Sequence, residues 1–157
     1  MGTRWIVGGT ALLGMFGLAV ASAHMKSTEL PAGPIRERHE LMEGIGKNAK
    51  LIGTALKTGQ FGPVAGAAEN IHASAAKITG LFPPGSAHPK SRAKLEIWKD
   101  WPKFEANAKE LATLAGALAT TAKNGGEVPA AAKKMFGVCK SCHEQFRKPE
   151  EKKKEKT

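Results

Sequence analysis

The sequence predicts an all-α chain, an antiparallel four-helix bundle with one long connection between its second and third helices. Three observations carry this. Apolar residues recur at spacings of 3 and 4 in four separate segments. Proline stands just before or at the start of each segment, where its missing N–H costs no hydrogen bond. No stretch alternates with the period of two that a strand requires.

The first helix begins after Pro34 with the stripe Arg38, Met42, Ile45, Ala49, Ile52, Leu56, and Thr58-Gly59 ends it. The second follows Pro63 with Val64, Ala67, Ile71, Ala75, Ile78 and Phe82, and Pro83-Pro84-Gly85-Ser86 stops it. The third follows Pro102 with Phe104, Ala108, Leu111, Ala115, Leu118 and Ala122, up to Asn124-Gly125-Gly126. The fourth follows Pro129 with Ala131, Met135, Val138 and Cys142, and frays near Lys148-Pro149. Spacings that average about 3.5 describe helices packed nearly parallel or antiparallel. The connection from Pro83 to Trp101 is longer than bundles usually need. Within it Arg92 to Lys99 offers a short helical turn carrying Leu95, Ile97 and Trp98. Trp98 either covers a cofactor edge or caps the bundle end.

At 157 residues the chain holds one domain. Arg4, an apolar run from Trp5 to Val20 and Ala21-Ser22-Ala23 match a secretory signal peptide over 1–23. The rival reading is an uncleaved anchor, for which the run is short and glycine-rich. Cleavage leaves 24–148 as the folded domain, without stable membrane insertion, and 149–157 as a charged, disordered tail. The formal charge is +10, and the leader contributes only Arg4 to it. Such an excess suits acidic partners. No nucleic-acid-binding motif accompanies it, and export to the periplasm argues against that partner.

Both cysteines lie in Cys139-Lys140-Ser141-Cys142-His143. C-x-x-C-H is the attachment signature of c-type haem. On a helix these three positions share one face, so two thioethers and one axial nitrogen can meet one side of a porphyrin. Attachment also removes two thiols that export would expose to oxidation. Zinc would need two more ligands at metal-like spacing, and His24, His39, His72 and His88 are scattered. A thioredoxin-type dithiol would follow a strand. The expected cofactor is therefore one covalently bound haem c.

A second axial ligand separates electron transfer from gas binding. Met135 lies roughly 12 Å before His143 along the same helix and cannot reach the opposite side of the iron. Met25 lies near the mature terminus. Met42, on the inward stripe of the first helix, is a candidate iron ligand, although a methionine on an apolar stripe ordinarily packs. His39, one turn earlier, is its rival.

A C-x-x-C-H at the C-terminal end resembles the class II cytochromes c, which comprise the cytochromes c′ and the low-spin cytochromes c-556. Arg38-His39-Glu40-Leu41-Met42, Phe82-Pro83-Pro84-Gly85-Ser86, Ala93-Lys94-Leu95-Glu96-Ile97-Trp98 and Cys139 to Arg147 carry the likeness. Leu95 departs from the usual proline. In cytochromes c′ an apolar residue leaves the iron five-coordinate at the position matching Met42, whereas low-spin members bind iron there through methionine. The resemblance to the c-556 type thus implies His143 and Met42 as iron ligands, Arg38 beside the haem propionates and Arg147 beside the axial histidine.

The expectation drawn from these residues is a periplasmic monohaem electron carrier with a His/Met-ligated low-spin haem and no catalysed reaction. Lys133, Lys134, Lys140, Arg147 and Lys148 would form a docking rim for an acidic redox partner protein. The alternative is a five-coordinate cytochrome c′ that binds nitric oxide or carbon monoxide. Class II relatives are often dimers, and a homodimer is left open. The alanine-rich stripes further suggest that the chain depends on haem for its core.

Overall fold

Why these stripes become helices is visible at their ends. The structure, a computed structural model, describes residues 29–149. The segment 1–23, Met25 and all of the tail beyond Pro149 lie outside the described residues. Helix α1 spans Pro34–Thr58, with proline opening it and Gly59 closing it at a φ of 71°. That left-handed conformation is open to glycine at no steric cost. Helix α2 spans Val64–Ala75 and starts directly after Pro63. Helix α4 spans Trp101–Lys123 and α5 spans Val128–Phe146, each with proline in its first two positions. The short helix α3, Glu96–Lys99, lies in the long connection.

Two details differ from the expected elements. The second helix stops at Ala75 rather than running to Phe82, and the chain continues through a 3₁₀ turn over Thr79–Leu81. Tight bonds replace the α pattern there, from the Ile78 amide to the Ala75 carbonyl and from the Phe82 amide to the Thr79 carbonyl. Thr79 and Gly80 are weak helix formers. Ile78 and Phe82 still reach the core, so the apolar spacing survives the change of helix type. The short turn in the connection forms, with Ile97 buried and Leu95 exposed.

The four long helices pack in chain order, α1 on α2, α2 on α4 and α4 on α5. Their contacts run through small residues: Ala68, Ala115 and Ala132 are fully buried, with Ile52, Ile71, Leu118 and Met135 beside them. At one end the aromatic rings close the core. Phe104 meets Phe82 edge-on at 4.8 Å, Trp101 at 5.5 Å and Phe146 at 5.4 Å between centroids. Phe146 therefore fills the bundle. Among the described residues α1 and α5, which would complete the ring, are not closely packed. Among these residues, no helix is long and apolar enough to cross a membrane.

Candidate functional site

The predicted site residues lie on α1 and at the end of α5, two helices that are not closely packed against each other. On α5, Val138 and Ser141 line a groove with Asn107, Glu110 and Leu114 of α4. At 3.6 residues per turn, Cys139 and His143 stand on the other flank, away from α4. Cys142 lies between the flanks, and both thiols are half-buried against the core. On α1, Asn48 accepts a hydrogen bond from Asn70 of α2 at 3.3 Å, which fixes the flank that faces α2. Met42 and His39 stand on the opposite flank. Two thiols and an imidazole on α5 thus border an edge whose other wall is α1. A flat cofactor bonded to α5 would lie along that edge, and this donor set is the one haem attachment requires.

The electrostatics suit the same chemistry. Burial pushes the Cys139 thiol up and holds Cys142 at about 11, with the Cys139 charge adding to the second. Both stay protonated at neutral pH, as thiols rather than thiolates. His143 keeps some contact with solvent. The protein packed around it nevertheless lowers its pKa, and the charges of Arg147 and Arg92 add to this. A neutral imidazole offers the lone pair a metal needs.

Arg38 is buried, at 4% exposure, although it lies close to the protein surface. Its guanidinium donates to Ser86 Oγ at 3.1 Å, the Ser86 carbonyl at 2.9 Å and Ser91 Oγ at 2.9 Å. It also sits 4.9 Å over the Phe82 ring. All of these partners are neutral, and burial lowers the pKa of the group. His39 Nε2 is buried without a hydrogen bond, 3.6 Å from Glu43 Oε1.

Arg147 ends α5, four residues beyond His143, and forms an isolated antiparallel bridge with Ala93. The bridge and the seats of Arg38 at Ser86 and Ser91 were not legible in the sequence. Ser86 falls within the proline-rich loop quoted above, but Ser91 carries no motif. Trp98 is held by its own bonds, from indole Nε1 to the Phe82 and Pro83 carbonyls, both 3.1 Å away. Of the expected docking rim, Lys133, Lys134 and Lys140 are exposed on α5, and Lys140 lies 3.7 Å from Glu144.

A family model described as Cytochrome C' matches residues 33–147. A cytochrome c′ of Pararhodospirillum photometricum is 33% identical over 123 residues, covering 74% of this chain and 98% of that protein. The crystal structure of cytochrome c′ from Thermochromatium tepidum superposes with a TM-score of 0.69 at 27% identity, over 74% of this chain and 95% of the other. A second cytochrome c′ structure, described as having an unusual ligand-controlled dimer dissociation, gives 0.67 at 28% identity, over 81% and 100%.

These likenesses correct one expectation. They bear out class II and the four-helix bundle, but they point to cytochrome c′ and not to the low-spin c-556 branch. The expected electron carrier with iron held by both His143 and Met42 is overturned with that branch. The physical reason lies in what a methionine does on an apolar stripe. Met42 is half-buried and packed against the hydrophobic cluster, and a flexible thioether fills such space as readily as it ligates.

Proposed function

The chain belongs to the cytochrome c′ family, and from that premise we propose that it binds nitric oxide or carbon monoxide at a five-coordinate haem. Its cofactor is covalently attached haem c. When bound, that group would supply an iron able to take a small neutral ligand. Cys139 and Cys142 would provide the thioethers, and His143 would provide the one protein ligand to iron. Met42 would pack near the iron without coordinating it. Arg38 would meet a haem propionate, which gives the buried guanidinium the anionic partner that its neutral neighbours do not. Arg147 would stand beside His143.

The observation that carries this reading is the family match over 33–147, because it takes in α1, the wall opposite His143, as well as the attachment motif. A relative with ligand-controlled dimer dissociation supports it, since ligand binding there reaches the whole molecule. The same relative supports a homodimer for this chain. The leader and its small-residue boundary support the periplasm. There the iron needs a reductant, and an acidic redox protein would dock on Lys133, Lys134, Lys140, Arg147 and Lys148.

Titration of the dithionite-reduced protein with carbon monoxide tests the reading. A Soret band that shifts with saturable, one-site stoichiometry is expected. An unchanged spectrum under excess carbon monoxide would count against an open iron position.

A further inference from the structure

We propose that Ser91 is a positioning residue that couples the ligand-facing helix to the proximal histidine; this rests on the gas-binding reading above. The coupling follows an unbroken series of bonds. The Arg38 guanidinium, one turn from Met42 on α1, donates to Ser91 Oγ at 2.9 Å. The same oxygen accepts the Ala93 amide at 3.2 Å. Ala93 bridges Arg147, fixed by the Lys94 amide on the Phe146 carbonyl at 2.9 Å and the Lys148 amide on the Arg92 carbonyl at 2.7 Å. The Arg147 amide then donates to the carbonyl of His143 at 3.0 Å.

Further bonds stiffen the far end of this series. The Arg92 guanidinium donates to the Lys148 carbonyl at 3.2 and 2.9 Å, and Lys94 Nζ donates to the Glu144 carbonyl at 2.8 Å. At Ser91 Oγ the bond from Arg38 of α1 and the bond from the segment bridged to the end of α5 share one oxygen. Its neighbour Ser86 takes two bonds from the same guanidinium, but its own amide donates to Pro83 within the same turn. A ligand entering the free side presses on the α1 wall, and displacement of α1 draws on Arg38. Through Ser91 that pull reaches the end of α5 and the backbone of His143. One hydroxyl oxygen therefore sets how strongly the two sides of the iron feel each other.

Full-length, haem-loaded protein tests this with four variants. Ser91→Ala removes the shared oxygen, and Ser91→Thr retains it. Ala93→Pro removes the amide on the α5 side and leaves the Arg38 bond intact, which keeps the test alive should Ser91→Ala fold poorly. Ser86→Ala removes a bond to Arg38 outside the series. The readouts are the iron–histidine stretching frequency of the ferrous protein and the carbon monoxide dissociation rate. We expect Ser91→Ala and Ala93→Pro to shift the stretch and to change the dissociation rate roughly two- to thirtyfold, the range typical of coupled networks. Ser91→Thr should restore both, and Ser86→Ala should leave the stretch in place. Carbon monoxide binding with an unmoved stretch and rate in both Ser91→Ala and Ala93→Pro overturns the coupling alone. Equal shifts in Ser86→Ala overturn it too, because the effect then belongs to anchoring Arg38. A wild-type ferrous protein that takes up no carbon monoxide overturns the gas-binding reading, and the coupling with it.

Discussion

Cys142 and His143 are adjacent, yet the fold moves their protons in opposite senses of pH. Burial favours the neutral form of each. In the haem-free chain the Cys142 pKa lies at about 11 against an ordinary 9.0, so its contribution to stability is complete below pH 9.0 and is lost as pH rises toward 11. The His143 pKa is lowered from 6.5 by burial and then by Arg147 and Arg92. Its contribution is complete above 6.5 and is lost as pH falls. Alkylation of the haem-free protein checks the first effect. Iodoacetamide should label Cys142 slowly at pH 8, with a rate that keeps rising toward pH 11. A plateau near pH 9 would contradict the buried environment. Cys139, Cys142 and His143 stand out in the sequence because their spacing along one helix is itself the chemistry of haem attachment. Met42 was misread because the occupant of the far side of the iron depends on a helix about a hundred residues upstream. A thioether there serves packing and ligation equally well as a sequence signal. The seat of Arg38 was illegible for a related reason, since hydroxyls of Ser86 and Ser91 leave no periodic trace.

The helices were legible wherever an apolar stripe and a proline start coincide, as at Pro34, Pro102 and Pro129. The second helix was overextended because residues 71, 75, 78 and 82 keep a spacing of 3 and 4 whether the chain is α or 3₁₀. The Ala93–Arg147 bridge is non-local, and no pattern around either residue announces it. At this scale the helices depend on close approach through alanine. Ala115, fully buried on α4, leaves no room for three more carbons. Ala115→Leu should therefore cost about 1–3 kcal/mol through overpacking, read as a lower urea midpoint at unchanged slope. A neutral or stabilising result would mean that α4 is not held as tightly as its burial implies.

For the whole molecule, the packed ring is open on one side. Among the described residues three neighbouring pairs of long helices are in contact, while α1 and α5 are not closely packed. Haem-free protein, made without the attachment machinery, should keep its helices but melt at a lower temperature than the haem-loaded form, because the cofactor contributes apolar contact to the core. A sharp, cooperative melt matching that of the haem-loaded form would show that the alanine core suffices. Fold class followed from helical period and proline starts, but the function of the bundle turned on the coordination of a single atom. The optical and electron paramagnetic resonance spectra of the ferric protein at neutral pH address that atom most directly. The account predicts a high-spin iron with one protein ligand, His143. A low-spin spectrum with a sulfur-to-iron charge-transfer band, lost in Met42→Ala, would contradict it.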